Sequence, residues 1–192
     1  MIFNSKTYWE SRYKNNRNSG NGSRGEYAEF KALIINEFIE KNNIEQILEF
    51  GCGDCYQASL ININDYVGFD VSETIVKKCT NNYTKKHRNF FAFEHFDKIK
   101  KVECTMSLDV TYHIIEKDIY EDYVLNLFKK SNKYVILFTT NYEYSNGSHI
   151  KHRKILDFIE NKIKNFSLVK KVETPTHLET NAKFYFFEKH SE

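Results

Sequence analysis

Short apolar runs alternate with segments of helical periodicity along most of the chain, and this alternation limits the folds open to it. Helical patterns lie near residues 26–41, 56–62, 72–82, 119–130 and 151–163. Strand-like runs lie near residues 46–50, 66–70, 89–93, 103–108 and 134–139. Strands that alternate with helices pair in parallel through crossover helices. The pattern therefore predicts a three-layer α/β sandwich.

The last part of the chain departs from this alternation. Two strand-like runs, 168–173 and 183–188, are separated by a loop that contains Pro175, the sole proline. With no helix between them, they should form an antiparallel hairpin. The expected fold is a Rossmann-like, seven-stranded, mostly parallel sheet that ends in this C-terminal hairpin.

Length and charge narrow the classes of protein to consider. A chain of 192 residues with 41% hydrophobic residues can bury one large core, so we expect a single domain over residues 1–192. The net charge of +2 argues against nucleic acid or an anionic membrane as the main partner. Without a leader-like N-terminus or an apolar run of membrane length, we expect a cytoplasmic protein.

The number of cysteines also fits a cytoplasmic protein. The four cysteines are Cys52, Cys55, Cys79 and Cys104, which are few for this length and typical of a reducing compartment. Cys52 and Cys55 form a C-x-x-C motif, a spacing found in zinc and redox sites, but no second such motif completes a zinc set. We expect ordinary buried thiols and no metal.

A buried strand, Gln46–Phe50, runs into a glycine-rich turn. Gly51 and Gly53 lack a Cβ, which lets the backbone bend tightly and come close to a ligand. Asp70 lies nineteen residues after Gly51 and ends the next predicted strand. In this topology a carboxylate at that position can accept hydrogen bonds from both hydroxyls of a ribose. The two signals predict one binding site.

The turn differs from the turn of dinucleotide-dependent dehydrogenases. Those enzymes use G-x-G-x-x-G, whose third glycine allows close helix packing, whereas this chain has Tyr56 at that position. Glu49 also places a carboxylate beside the turn, which would repel a pyrophosphate and suits the ammonium of an amino acid. Glu49, the glycine turn and Asp70 together favour S-adenosylmethionine as the cofactor.

The E-x-G-x-G-D sequence from Glu49 to Asp54, followed by Asp70, resembles the first two motifs of class I S-adenosylmethionine methyltransferases. The resemblance extends over residues 27–140, and the terminal hairpin is similar to the reversed last strand of that fold. It implies that the glycine turn lies against the methionine part of the cofactor and that Glu94 or His95 lies near the adenine. The implied cofactor-binding residues are Glu49, Gly51, Cys52, Gly53, Asp70, Val71, Glu94 and Leu108.

Candidates for binding the methyl acceptor follow the fourth and fifth strands. Asp109 and His113 follow the fourth strand at the carboxyl edge of the sheet, where ligands gather in open α/β folds. In related methyltransferases this segment faces the transferable methyl group, so we take both as catalytic residues that orient or deprotonate the acceptor. A structural use of His113 as a helix cap or loop tie is the alternative. The predicted substrate-binding residues are Tyr13, Tyr112, Asn141, His149, His152 and Arg153.

Two segments around these candidates have more than one interpretation. Residues 140–154 can form an acceptor-binding loop, an anion clamp through the planar fork of Arg153, or a solvated basic helix start. Asp109, His113 and the two histidines of that loop do not have the close spacing of a metal motif. Residues 1–25 resemble a leading segment that closes over the cofactor in small-molecule methyltransferases, with a mobile glycine-rich loop at 15–25. The expected organisation is this lid on a core of residues 26–192.

The resemblance implies transfer of a methyl group from S-adenosylmethionine to an oxygen or nitrogen of a small polar acceptor. A sugar or surface-polysaccharide precursor is the first candidate. Methylation of RNA or protein is the alternative activity, and a catalytically inactive cofactor-binding subunit or a dinucleotide-dependent oxidoreductase are the alternative classes. The sequence does not indicate an oligomeric state.

Overall fold

A computed structural model describes residues 3–83, 88–145, 147 and 149–190. The α-helices are α1 (Ser5–Lys14), α2 (Gly25–Asn42), α3 (Tyr56–Ser59), α4 (Glu73–Asn82), α5 (Lys117–Lys129) and α6 (Ile155–Lys162). The strands are β1 (Gln46–Phe50), β2 (Asp65–Asp70), β3 (Arg88–Ala92), β4 (Val102–Leu108), β5 (Ser131–Thr139), β6 (Tyr144–Ser145), β7 (Lys151–His152), β8 (Phe166–Val172) and β9 (Lys183–Lys189). Short 3₁₀ helices lie at Asn21–Ser23, Phe93–Lys98, Thr111–His113 and Thr176–Leu178.

Seven of these strands form one sheet in the order β3-β2-β1-β4-β5-β9-β8. β1 pairs in parallel with β2, and β2 pairs in parallel with β3. β9 runs antiparallel to both β5 and β8. This arrangement confirms the predicted Rossmann-like, mostly parallel sheet and its C-terminal antiparallel pair.

The chain divides into two compact units, one formed by Lys6–Glu103 and one formed by Met1–Ser5 with Cys104–Glu192. In the first unit, β1 is buried along almost its whole length, as expected for a parallel strand covered on both faces. Its register with β2 runs from Gln46 opposite Asp65 to Phe50 opposite Phe69. The two strands therefore end side by side, which brings the glycine turn and Asp70 to the same edge.

The second unit is organised around β5 and the hairpin of β8 and β9. β5 is buried from Tyr134 to its end, and Thr139 lies opposite Lys183 at the start of β9. Val172, the last residue of β8, lies opposite Phe184. The end of β5, the start of β9 and the end of β8 thus share one edge of this part of the sheet.

Three differences between the predicted elements and the structure concern helices, and β5 also starts three residues earlier than predicted, at Ser131. Residues 5–14 form α1, which has almost no apolar periodicity and was not predicted as a helix. The helix predicted at 56–62 is the single turn α3. The helix predicted to start at 151 starts at Ile155, because Lys151–His152 pair with Tyr144–Ser145 as a two-residue ribbon.

Other expectations concern the chain as a whole. Within the described residues, no helix is long and apolar enough to cross a bilayer. The single domain and the cytoplasmic location stay predictions.

The expectation of ordinary thiols is wrong for two of the four cysteines. Cys55 is joined by a disulfide to Cys79 on α4, with 6.2 Å between their Cα atoms, a separation that suits a disulfide. Cys55 has a left-handed backbone, with φ of 62°, at the start of α3. Cys52 and Cys104 are buried and take no part in a disulfide. The C-x-x-C spacing therefore does not describe the pairing.

The pairing can be tested by peptide mapping of the unreduced protein after thiols have been blocked. The peptide that contains Cys52 and Cys55 should be recovered linked to the peptide that contains Cys79. The Cys52→Ser variant should keep the link, whereas Cys55→Ser should lose it. Recovery of Cys79 with a blocked thiol in the wild-type protein would contradict the assignment.

Candidate functional site

The glycine turn after β1 is fixed to the end of β2 by backbone hydrogen bonds. Gly51 and Cys52 both donate an N–H to the carbonyl of Phe69, at 2.7 and 3.0 Å. Gly51 has φ of 78° and Gly53 has φ of 54°, a left-handed backbone that favours glycine at both positions. The two glycines of the motif therefore serve to fold the turn back onto the neighbouring strand.

Asp70 lies against this turn. Its Oδ2 accepts a hydrogen bond from the Gly53 N–H at 3.0 Å, and its Oδ1 accepts one from the Ser72 N–H at 2.9 Å. The side chain is buried, and burial raises its pKa to about 6, although these backbone N–H groups oppose the rise. Because a carboxylate has about four acceptor sites, Asp70 can accept further hydrogen bonds beyond these two.

Glu49 is also buried, on β1, with 2% of its surface exposed. Its carboxylate accepts a hydrogen bond from the Tyr66 hydroxyl. Burial raises the pKa of Glu49 to about 7, while the Tyr66 hydroxyl and the charge of Lys31 act in the opposite direction. These partners give Glu49 a structural use within the core. Its contact with a ligand ammonium stays a prediction.

The N-terminal segment is attached to the glycine turn through Asp54. The carboxylate of Asp54 accepts hydrogen bonds from both outer nitrogens of the Arg24 guanidinium, at 2.6 and 3.1 Å, and from the Ser19 N–H at 2.9 Å. The Asp54 N–H in turn donates to the Ser19 hydroxyl at 3.0 Å. The buried Tyr13 lies 3.1 Å from the same Ser19 oxygen through its hydroxyl. Residues expected to form a lid thus contact the turn.

Glu10 of α1 caps the N-terminus of α4. It accepts hydrogen bonds from the Ser72 hydroxyl at 2.6 Å and from the Thr74 hydroxyl at 2.7 Å. Burial alone would raise the pKa of Glu10, but the hydrogen bonds from Ser72, Thr74 and Lys14 together outweigh burial and lower the pKa to about 2. Sequence reasoning missed Glu10, Ser19, Arg24 and the role of Asp54. Ser72 is the N-cap of α4. A serine before a helical pattern is a local sequence signal for the start of that helix, where Glu10 binds.

The remaining predicted cofactor residues are placed as follows. Cys52 is buried within the turn, and Val71 is partly exposed directly after Asp70. Glu94 belongs to the 3₁₀ helix Phe93–Lys98, but its side chain lies outside the part of the molecule that the structure describes. Leu108 is the buried last residue of β4. The binding roles of these residues stay predictions.

In the second unit, Asp109 directly follows β4 in a left-handed conformation with φ of 59°. Its N–H donates to the Phe138 carbonyl at 2.9 Å, and its Oδ1 accepts a hydrogen bond from the Tyr112 hydroxyl at 2.7 Å. A non-glycine residue in this conformation is uncommon and marks a constrained position. The side-chain direction of Asp109 is therefore set by both its backbone and Tyr112.

His113 has a defined tautomer in this structure. Its Nδ1 lies 3.2 Å from the His149 carbonyl, which can only accept, so Nδ1 carries the proton. Burial lowers the pKa of His113 to about 4. The imidazole is therefore neutral at pH 7, with an acceptor lone pair on Nε2.

His113 belongs to a row of aromatic and imidazole rings in which each ring contacts the next. His113 stacks on His149 with ring centroids 5.7 Å apart and lies 4.7 Å from the Tyr112 ring. The Tyr112 ring lies 5.1 Å from His152, which stacks on Tyr142 at 4.7 Å. Among the described residues, no group of three or more His, Cys, Asp or Glu side chains is placed to hold a metal ion.

Arg153 and Asn141 already have partners within the protein. The guanidinium of Arg153 donates to the carbonyls of Ile114 and Ile115, both at 2.8 Å. The Oδ1 atom of Asn141 accepts a hydrogen bond from the Leu156 N–H at 3.0 Å. The guanidinium of Arg153 therefore stabilises the segment that contains Ile114 and Ile115. The predicted substrate contacts of Arg153 and Asn141 stay predictions.

The strand order and the terminal antiparallel pair define a Rossmann-like fold that is also found in solved structures of methyltransferases. The chain is similar to magnesium protoporphyrin IX methyltransferase from Synechocystis PCC 6803 with bound S-adenosylhomocysteine, with a TM-score of 0.68 and 14% identity over 96% of this chain and 97% of that one. It is similar to the N-methyltransferase NodS from Bradyrhizobium japonicum WM9 in complex with S-adenosylhomocysteine, with a TM-score of 0.73 and 11% identity over 98% and 100%.

A third neighbour is the small RNA methyltransferase HEN1, with a TM-score of 0.63 and 16% identity over 86% of this chain and 25% of that one. No family model and no curated protein sequence matches the chain. At these identities the similarity establishes the fold, and the predicted Rossmann-like fold is confirmed.

The buried Glu49 should make the stability of the protein depend on pH. Its folded-state pKa of about 7 lies above its usual value of 4.5, so the stability it contributes is present below pH 4.5 and is lost as the pH rises through 7. Glu49→Gln should reduce the fall in the free energy of unfolding between pH 5 and pH 8 by on the order of 3 kcal/mol. Urea unfolding at both pH values measures this fall.

The readout is the change with pH and not the absolute stability, because Lys31 is buried near Glu49 and loses a counter-charge in the variant. Glu37→Gln, on the exposed face of α2, is the control for the change in net charge. An equal fall with pH in wild type and Glu49→Gln would show that Glu49 is ionised in the folded protein near its usual pKa.

Proposed function

We propose that the protein is an S-adenosylmethionine-dependent methyltransferase. The observation that carries the proposal is the hydrogen bond from the Gly53 N–H to the buried Asp70 carboxylate. It joins two motifs that lie seventeen residues apart in the chain into one site. Neighbours of the same fold with bound S-adenosylhomocysteine support the choice of cofactor.

The residues of the first unit fit this cofactor. Asp70 has acceptor capacity for the ribose hydroxyls, and its burial makes those hydrogen bonds stronger than they would be in water. Gly51 carries no side chain that would hold the methionine part away from the backbone, whereas the space beside the Cα of Gly53 is filled by Ser19 and Tyr13. When bound, the cofactor would supply a methyl group on a sulfonium for a single in-line displacement.

The residues after β4 would then serve the acceptor. Asp109, held by Tyr112, takes the proton from the acceptor hydroxyl or amine as the reaction proceeds. Burial lowers the pKa of His113 to about 4, so its imidazole is neutral at pH 7, and we assign it no proton transfer. Its Nε2 instead accepts a hydrogen bond that orients the acceptor. The position of this segment relative to the methyl group is carried over from related methyltransferases.

The N-terminal segment would act as the lid of the site. Tyr13, Ser19 and Arg24 reach the glycine turn through polar contacts with one another and with Asp54. Polar contacts of this kind can break and re-form, which suits a segment that opens for ligand exchange. Closure would exclude water from the reaction.

A small polar molecule is the acceptor that we propose, with a sugar or surface-polysaccharide precursor as the first candidate. The net charge of +2 supports a small molecule over RNA. Similarity to a small RNA methyltransferase makes RNA the alternative to test. Labelled S-adenosylmethionine incubated with the protein and either a metabolite extract or total RNA would show which fraction becomes labelled.

Cofactor binding is the first test of this function. Calorimetry should detect S-adenosylhomocysteine binding to the wild-type protein and no binding of NAD or NADP. Asp70→Ala should weaken that binding at least roughly tenfold, because hydrogen bonds to an ionised carboxylate are lost. Glu73→Ala, three residues along the chain at the exposed start of α4, should bind as the wild type does. Preferential NAD binding would overturn the function.

A second test separates binding from turnover. Asp109→Asn and His113→Ala should keep the affinity for S-adenosylhomocysteine within about threefold and lower turnover by roughly 10²-fold, the usual scale for acid–base groups. His113→Gln should recover part of the rate lost in His113→Ala, because the amide can still accept a hydrogen bond.

The outcomes of this test have distinct meanings. Loss of cofactor affinity together with turnover would place Asp109 and His113 in cofactor binding or folding. Unchanged turnover in both variants would remove them from the reaction. A His113→Gln variant as slow as His113→Ala would show that the imidazole transfers a proton and does not only orient the acceptor.

A further inference from the structure

A cavity of about 480 Å³ lies in the second unit at the shared edge of β5, β8 and β9. This volume falls within the range of sites for small molecules. Residues from the segment after β5 and from the hairpin line it, among them Asn141, Tyr142, Lys171, Asn181, Lys183 and Tyr185. The cavity does not include the residues predicted to be catalytic, so it is a place for another part of a ligand.

The register of the strands explains why two lysines meet there. Lys171 of β8 lies opposite Tyr185 of β9, and Lys183 is two residues before Tyr185. Because side chains alternate between the faces of a strand, these three residues share one face of the hairpin. Lys170 lies opposite Phe186 and over its ring, at 5.4 Å, on the other face.

Glu173 forms an ion pair with both ammonium groups at the partly exposed edge of the cavity. Its two carboxylate oxygens each lie 2.7 Å from one lysine Nζ, Oε1 from Lys171 and Oε2 from Lys183. An ammonium has three N–H donors, so one contact with Glu173 leaves donors on each lysine for a second anion. Two cations against one carboxylate also leave the group with a net positive charge.

The rest of the lining is neutral, and apart from the apolar Leu156 its side chains can donate hydrogen bonds. Asn141 and Asn181 each carry an amide, and Tyr142 and the buried Tyr185 each carry a hydroxyl. None of the residues described as lining the cavity is acidic. Donors and cations without an opposing carboxylate in the lining favour a ligand that brings negative charge.

We infer that this cavity binds an anionic group, a phosphate or a carboxylate, on the methyl acceptor. The inference rests on the proposed methyltransferase function for the identity of the ligand, but the anion site can be tested without it. Tyr142 connects the two places in the second unit, since it lines the cavity and its ring stacks on His152. An acceptor whose anion occupies the cavity would extend along these rings toward Tyr112 and Asp109.

The test is a titration of the whole protein with inorganic phosphate, and separately with acetate, at constant ionic strength kept with sodium chloride. Side-chain amide signals of Asn141 and Asn181 in nuclear magnetic resonance spectra should shift and saturate. The double variant Lys171→Ala/Lys183→Ala should bind at least about tenfold more weakly, because charge-assisted hydrogen bonds are lost. Lys170→Ala removes the same charge from the other face and should bind as the wild type does.

Saturation with phosphate alone assigns a phosphate group to the acceptor, and saturation with acetate as well extends the site to carboxylates. Shifts that do not saturate with either anion, or equal affinity in the double variant, would overturn the inference. Circular dichroism of each variant checks that the protein is folded, and Lys183→Arg, which keeps the charge, should retain binding. Failure of S-adenosylhomocysteine to bind would overturn the proposed function and leave a saturable anion site standing.

Discussion

The hydrogen bond from the Gly53 amide to the Asp70 carboxylate holds the ends of two parallel strands in one place. Gly53 has a left-handed backbone at this point of the turn, a conformation that favours glycine. The same carboxylate fixes the start of α4 through the Ser72 amide, and Ser72 in turn donates its hydroxyl to Glu10 of α1. One buried acid thus orders a strand end, a turn, a helix start and a distant N-terminal helix.

Much of the fold could be predicted because its signals are local. A buried parallel strand is a short apolar run, and a tight turn needs glycine, so β1, the turn and Asp70 can be found from the sequence alone. The helix α2 has buried positions at helical spacing and lies within a residue of its predicted ends. The candidate cofactor-binding residues could be located for the same reason, since their motifs are short and sit at strand ends; their binding roles stay predictions.

The parts that were missed depend on contacts between residues far apart in the chain. α1 has little apolar periodicity because it is attached by polar contacts, such as Glu10 with Ser72 and Thr74. The pairing of Cys55 with Cys79 depends on how α3 and α4 pack and has no spacing rule. The chemistry of Arg153 suggests that it binds an anion, whereas its guanidinium donates hydrogen bonds to the backbone carbonyls of Ile114 and Ile115.

The contacts of Asp54 make the glycine turn a composite of two segments of chain. Ser19 and Asp54 exchange hydrogen bonds in both directions, and Arg24 closes the group. A shortened chain that starts after residue 24 would keep the motif and lose the groups that complete its turn. Protein engineering on this scaffold therefore has to treat residues 19–24 as part of the motif, and a fusion joined there would be attached at the turn itself.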